Sequence, residues 1–352
     1  MNFLRLFNQQ LVRNQQLQRN RGFTLIELLV SLIIGSIIVV VLMDFVIDLV
    51  RVDRRETVLD QVQRDMNRAL DYIADDLQEA VYIYAGAELT NVVSQLDGTN
   101  PNFGADPNFP SSGTPVLAFW RVDPIESAIP DCSTVSATIT PPRTTSLRDD
   151  CRLLEVRQAA YTLVVYVQVE NTTTTPNWSG QSRIVRYELP KFSNVATLAT
   201  NSGYNDPSDQ TLDTAQFPNW QATGIPSGNQ DVLVDYVQAP SAATLNRAPL
   251  SDAGVPCDGY GNDNFGNSLY VVVPPTASTT TNNSFFACVR NPNLDNATAV
   301  ANNSNGNQDI YVFLRGNVQG INGGVRSFSD YTSLPILETQ VLAKGVINKG
   351  QR

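Results

Sequence analysis

The chain has 352 residues, enough for one large domain or two modest ones with a buried core. It contains no histidine, which counts against Ser-His-Asp, Cys-His and His-ligated zinc chemistry but leaves a site of paired carboxylates open. The formal net charge is −10; residues 1–22 contribute four arginines and no acid, so residues 23–352 carry 20 basic and 34 acidic side chains, or −14. Because so acidic a surface repels phosphate backbones, we expect no nucleic-acid partner.

Residues 23–43 form an apolar segment, FTLIELLVSLIIGSIIVVVLM, whose one charged residue is Glu27. As a helix it would rise about 1.5 Å per residue, which matches the roughly 30 Å hydrocarbon core of a bilayer. Arginines precede the segment, and Asp44 and Asp48 follow it. The positive-inside rule therefore predicts a single pass, with a cytoplasmic leader and residues 44–352 across the membrane. An ordinary secretory signal is disfavoured, because no A-x-A-like cleavage site follows the segment.

The junction RGFTLIE at residues 21–27 resembles the prepilin peptidase recognition sequence of type IV pilins and type II secretion pseudopilins. In that family a basic leader ends in glycine and is followed by Phe-Thr-Leu-Ile-Glu and an apolar helix. The resemblance implies cleavage between Gly22 and Phe23, and N-methylation of Phe23 as the new amino terminus. It also implies residence in the inner membrane, with a periplasmic globular domain, and then in a pilus or pseudopilus.

Glu27 is the one carboxylate inside the apolar segment, where insertion scales put the cost of a charge at about 2.5–3.5 kcal/mol. In the family that the segment resembles, this glutamate meets the terminal amine of a neighbouring subunit in the filament. The alternative is a tolerated carboxylate that lies close enough to the helix end to reach the membrane interface. The resemblance favours a role for Glu27 in subunit assembly.

The helical pattern continues beyond the apolar segment and predicts one helix from about 23 to 83. Its second half carries an apolar stripe at steps of three or four residues, formed by Leu59, Val62, Met66, Leu70, Ile73, Leu77 and Val81. The predicted organisation is a leader at 1–22, the membrane-spanning half of the helix at 23–50 and a globular domain at 51–352. Within that domain, residues 51–84 are predicted to be helical and 85–352 mainly β and loops.

After Tyr84 the helical period stops, and short segments rich in Val, Tyr and Phe follow. Strands are predicted at 116–122, 161–170, 184–189, 232–237, 269–273, 285–289 and 310–314. Polar tracts rich in Thr, Asn, Ser, Pro and Gly predict long surface loops at 91–114, 171–182, 200–230, 274–284 and 291–308. The predicted fold is α+β and pilin-like: a long N-terminal helix, membrane-spanning in its first half, packs on an antiparallel β-sheet with long loops.

The four cysteines, at positions 132, 151, 257 and 288, match no zinc or redox motif. In an exported domain they indicate two disulfides, and pairing Cys132 with Cys151 and Cys257 with Cys288 gives the shortest loops. The sequence does not choose among the three connectivities. Four free buried thiols are the alternative.

Other segments suggest chemistry only weakly, and neither a metal nor a cofactor is predicted. The stretch CDGYGNDNFG at 257–266 offers oxygen ligands for calcium but lacks the EF-hand order and its closing glutamate, so we interpret it as a turn. Trp120 lies in a strand pattern and is expected in the core. Trp178 and Trp220 lie in predicted loops, where a sugar-stacking role stays open.

Beyond the junction, the chain resembles minor pilins of the PilW/PulJ/GspJ type and, among them, cyanobacterial pseudopilins of hormogonium polysaccharide secretion. The resemblance is carried by residues 53–84 and by the islands VLAFWRV, RIVRYELP and YVFLRGN. It implies a non-enzymatic minor subunit that initiates or caps a filament for polysaccharide secretion and motility. The implied partners are the prepilin peptidase, other major and minor pilins or pseudopilins, and an inner-membrane assembly platform driven by a separate ATPase. The rival interpretations are a pilin-anchored adhesin that binds glycan and a membrane-tethered enzyme that uses carboxylates.

Overall fold

A computed structural model describes residues 23–138, 146–172, 177–209, 216–240, 257, 260–261, 268–275, 284–290, 308–318 and 333–344. The chain divides into two compact units, with the boundary between Glu56 and Thr57. Helix α1 runs from Leu25 to Gln78 and therefore contributes residues to both units.

In the first unit, the helix is apolar on every side from Leu28 to Met43. The large hydrophobic side chains from Phe23 to Val52 are all exposed, from 43% at Val50 to 88% at Leu25. Among the described helices, α1 is the one that is long and apolar enough to cross a membrane by length and composition. A helix that is apolar on every side belongs in lipid or in the interior of an assembly, because in water each of its faces would expose apolar side chains.

The second unit is built around an antiparallel sheet. Its strands are β1 (Ala80–Ile83), β2 (Thr114–Pro124), β3 (Ala159–Glu170), β4 (Ser182–Pro190), β7 (Asn229–Val237), β8 (Tyr270–Val273), β9 (Phe285–Arg290), β10 (Asp309–Asn317) and β11 (Ser333–Leu342). In the described part of the chain these nine strands follow the order β1-β2-β3-β4-β7-β10-β9-β8, with β11 also paired to β10. Two short strands, β5 (Phe192–Asn194) and β6 (Ala199–Thr200), pair separately.

The apolar stripe of α1 packs into the core of this second unit. Met66, Ile73 and Leu77 are fully buried and belong to one cluster with Trp120 and Tyr166 from the sheet. The sheet side of the core is continuous because β2, β3 and β4 each bury a run of four or more consecutive residues. The predicted α+β pilin-like fold, a long N-terminal helix with an antiparallel sheet, is confirmed.

All seven predicted strands occur, and several are longer than predicted. The predicted helical end at 83–84 is wrong, because α1 ends at Gln78 and Ala80–Ile83 form β1. Residues 80–84 are rich in β-branched and aromatic side chains, and pairing with β2 overrides the helical spacing that Leu77 and Val81 share. The loops predicted at 274–284 and 291–308 lie mostly outside the described residues.

Two short helices were not predicted: α2 (Ala87–Ser94) and α3 (Leu147–Arg157). The α3 helix has a sequence signal at its start, because Ser146 is its N-cap and the Ser146 hydroxyl accepts the Asp149 N–H at 3.2 Å. The sequence signal for the α2 helix is weaker, because the helix is short and leads into a polar stretch. It buries Leu89, Val92 and Val93.

A buried carboxylate on α1 joins the helix to three neighbouring strands. Asp76 is 6% exposed; its Oδ2 accepts hydrogen bonds from Tyr166 Oη on β3 at 2.6 Å and from Arg186 Nε on β4 at 2.8 Å. Its Oδ1 accepts a bond from Arg121 Nη1 on β2. Arg186 also donates to Glu188 at 2.6 Å, so every charge in the group is compensated.

Replacing Asp76 with Asn would leave two buried guanidinium groups without their shared counter-ion. Breaking a buried pair of this kind costs about 3–5 kcal/mol, so Asp76→Asn should lower the unfolding free energy of the full chain by that amount in urea titrations. Asp75→Asn is the matched control, because Asp75 is the preceding residue and its side chain is exposed. This substitution should change the unfolding free energy by less than about 0.5 kcal/mol. Equal stability of the two variants would contradict the role given to Asp76.

Candidate processing and assembly segment

The residues around the expected cleavage point lie just outside α1. Phe23 and Thr24 are non-helical, and Phe23 is 74% exposed. Gly22, the other expected cleavage residue, lies outside the described residues. The structure thus presents Phe23 on an accessible, non-helical stretch directly before the helix begins at Leu25.

Thr24 caps the amino terminus of α1. Its hydroxyl accepts the backbone N–H of Glu27 at 3.3 Å, and its carbonyl accepts the N–H groups of Glu27 at 3.0 Å and Leu28 at 3.1 Å. The sequence Thr24-Leu-Ile-Glu27 is therefore the first half of a capping box, in which the threonine satisfies donors that the helix leaves unpaired. The cap fixes the start of the helix next to the expected cleavage point.

This start places Glu27 in the first turn of α1, with its side chain exposed. A carboxylate there is favoured by the positive end of the helix dipole. Residues 23–50 contain no lysine or arginine, so no side chain of the segment itself can neutralise Glu27. Cleavage before Phe23, which the junction leads us to expect, would create an amine near Glu27, either its own or that of another copy.

The remaining polar side chains of the apolar segment are already satisfied. Ser31 Oγ donates to the Glu27 carbonyl at 2.7 Å, and Ser36 Oγ donates to the Ile33 carbonyl at 2.8 Å. Hydroxyls bonded to their own helix tolerate an apolar environment. Glu27 is therefore the one group between Phe23 and Met43 whose charge demands a partner from outside the helix.

Residues 17–43 match the family model described as the prokaryotic N-terminal methylation motif. No curated protein and no solved structure matches the chain. The match covers the junction and the apolar segment, and it supports a type IV pilin-like or pseudopilin-like protein that is membrane-anchored and pilus-associated. The motif implies processing by a prepilin peptidase and assembly with other pilins. Proteins that carry it are structural rather than enzymatic.

The structure joins the cysteines as Cys132–Cys151 and Cys257–Cys288, with Cα–Cα distances of 5.5 and 5.6 Å. The first bridge ties the segment after β2 to α3, in a small apolar cluster with Leu154. The second ties Cys257 to β9, in a cluster rich in aromatic rings. Each bridge therefore anchors a segment next to a regular element.

The other residues singled out in the sequence fall into different environments. Trp120 is fully buried in the core, as its strand pattern predicts, and Trp220 is buried at 3% exposure. Trp178 is 36% exposed and lies under the guanidinium of Arg183, 5.7 Å from its ring centre. Most of the stretch 257–266 lies outside the described residues, and no cluster of possible metal ligands occurs in the part that is described.

Alkylation of the unfolded, unreduced full chain tests the cysteine pairing. No cysteine should react before reduction and four should react after it, and peptide mapping should link Cys132 to Cys151 and Cys257 to Cys288. In the chain-entropy model each bridge contributes about 3–4 kcal/mol at these loop lengths, so replacing both members of either pair with serine should lower stability by about that much. Reaction of any cysteine without reduction, or a different pair in the map, would contradict the arrangement.

Proposed function

We propose that this chain is a minor pilin or pseudopilin, a structural subunit that initiates or caps a type IV pilus-like or type II secretion-like filament. The observation that carries the proposal is the capped start of α1, which begins at Leu25 inside the junction, matches the methylation motif and is free of charged residues from Leu28 to Met43. The proposed role in polysaccharide secretion and motility rests on the resemblance to minor pilins and hormogonium pseudopilins.

In this proposal the chain is first an inner-membrane protein with its leader in the cytoplasm and its second unit in the periplasm. A prepilin peptidase cuts between Gly22 and Phe23, and the new amine of Phe23 is methylated. The non-helical, exposed stretch at Phe23 and Thr24 supports this step, because a peptidase needs an accessible backbone.

Assembly then moves α1 from lipid into a bundle of equivalent helices. The apolar surface is covered in both places, so its burial does little to drive the transfer. A separate ATPase on an inner-membrane platform has to supply the work, since the sequence contains no P-loop. In the bundle, the carboxylate of Glu27 pairs with the amine of Phe23 on a neighbouring subunit, which neutralises both charges.

A minor position is proposed because the second unit, residues 57–352, is bulky and carries long polar tracts. Such a unit fits the end of a filament, where neighbours do not crowd it on all sides. Counting copies of the chain in purified filaments tests this part: a few copies per filament agree with a minor subunit, whereas a stoichiometric shaft component contradicts it.

Glu27→Ala and Glu27→Gln should both be inserted and processed, yet should enter filaments at least about tenfold less than the wild type. The reason is that an unpaired amine left in an apolar bundle costs about 3–5 kcal/mol. Quantitative immunoblots of membrane and sheared-filament fractions measure the effect. Asp44→Asn, a carboxylate at the far end of the segment, is the control and should assemble normally. Normal incorporation of the Glu27 variants would contradict the pairing.

A further inference from the structure

One long edge of the main sheet is open in the part of the chain that the structure describes. The sheet ends at β1 and β8, which have four residues each. The outer side of β1 is already bonded: the Gln308 side chain accepts the Ile83 N–H at 2.9 Å, and the Lys344 N–H donates to the Ala80 carbonyl at 3.1 Å. Strand β11 has ten residues, and among the described helices and strands only β10 lies alongside it.

The main-chain groups of β11 alternate between β10 and the open edge. The Ala343 N–H donates to the Gln308 carbonyl at 2.9 Å, so these two residues form a hydrogen-bonded pair of the antiparallel ladder. Because bonded and non-bonded pairs alternate, the odd-numbered residues of β11 direct their N–H and C=O groups at β10. The even-numbered residues from Ile336 to Leu342 direct theirs at the open edge, where no described residue bonds to them.

An unpaired edge of this length is a template on which another strand can form main-chain hydrogen bonds. Proteins usually shorten or cover such edges, as this chain does at β8 and β1. Leu342 gives a second indication, because its side chain is 59% exposed on the open strand. A strand added at this edge would satisfy the free main-chain groups and cover that apolar side chain.

The sequence of β11 is complementary to itself when two copies run antiparallel. A pairing centred on Thr339 places Ile336 of one copy opposite Leu342 of the other, and Glu338 opposite Gln340. Apolar residues then meet apolar residues, and the carboxylate meets an amide that can donate to it. All four of these residues are even-numbered, so the pairing uses the groups that face the open edge.

The neighbouring registers are less favourable. A pairing centred on Glu338 sets two carboxylates directly opposite each other, which destabilises a sheet. A pairing centred on Gln340 sets Glu338 against the apolar Leu342. A pairing centred on Val341 needs the outer side of Lys344, whose N–H is already bonded to β1. The register centred on Thr339 therefore avoids each of these conflicts.

We propose that β11 pairs with β11 of a second copy of this chain, antiparallel and centred on Thr339. Each copy presents the same strand, so the interface is isologous and the two sheets continue across a two-fold axis. The main chain supplies the hydrogen bonds, while the contact between Ile336 and Leu342 sets the register. The pairing concerns the second unit alone and needs neither cleavage at Phe23 nor entry into a filament.

Single cysteines test the register in the full chain, purified in a non-ionic detergent and oxidised with copper phenanthroline. The four native cysteines are bonded in pairs and do not compete. In the proposed pairing the two Thr339 Cα atoms lie about 4.5 Å apart, a distance that a disulfide spans. Thr339→Cys should therefore give a crosslinked dimer on non-reducing gels.

Gln340→Cys is the matched control for this crosslink, because it is the next residue and its side chain is exposed. In the proposed register, two residues along the strand and one strand spacing separate its Cα atom from that of the second copy, which amounts to about 8 Å. That distance is too long for a disulfide, so the dimer fraction should be at least about fivefold lower than for Thr339→Cys.

A proline tests whether main-chain bonds hold the two copies together. Gln340→Pro removes an N–H that points at the open edge, a position at which edge strands tolerate proline. Combined with Thr339→Cys, it should abolish the crosslink, while the reduced protein keeps the melting temperature of Thr339→Cys alone. Gln340→Ala retains the N–H and should leave the crosslink in place.

If Thr339→Cys does not fold, two exposed positions decide in its place. Differently tagged Glu338→Cys and Gln340→Cys chains should crosslink when mixed, since these residues lie opposite each other at about 5.5 Å, whereas each alone should not. The proposal is overturned if neither design gives a dimer, if Gln340→Cys alone crosslinks as well as Thr339→Cys, or if the dimer survives Gln340→Pro. It is equally overturned by a chain that stays monomeric and binds an extended segment of a different protein at this edge.

Discussion

The structure depends first on the fact that the initial half of α1 cannot remain in water. More than twenty large apolar side chains between Phe23 and Val52 are exposed there. Each forfeits about 1.5–3 kcal/mol when it is not buried, so together they amount to tens of kcal/mol. That exceeds the roughly 5–15 kcal/mol net stability of a typical domain. Lipid or other helices must cover this surface, and Glu27, the one charge within residues 23–43, must find its partner in that setting.

The second half of the same helix obeys a different constraint. It buries one apolar stripe in the second unit and adds a buried carboxylate, Asp76, that bonds to β2, β3 and β4 at once. Apolar packing alone tolerates sliding of a helix along a sheet, whereas one carboxylate that meets Arg121, Tyr166 and Arg186 permits a single register. We infer that this group contributes specificity as well as stability, which is an established use of buried polar groups in some proteins.

Patterns that repeat along the chain predicted the fold well. The apolar stripe identified α1, and alternating or continuous apolar runs identified seven strands of the main sheet.

The features that could not be predicted depend on contacts between residues that are distant in the sequence. Asp76 occupies a polar position beside the stripe and becomes buried because two arginines from strands reach it. The helix stops at Gln78 because β1 gains a partner strand in β2. For the processing segment, the junction motif was visible in the sequence, whereas the Thr24 cap required the structure.

The proposed filament role depends most heavily on the conversion of an anchored precursor into a subunit that starts at Phe23. Mass spectrometry of the protein extracted from membranes and from filaments of producing cells tests it directly, with cells that lack the prepilin peptidase as the reference. We predict a chain that begins at Phe23 with a methyl group on its amine, and retention of residues before Phe23 when the peptidase is absent. A first residue other than Phe23, or the same product in both strains, would contradict the account.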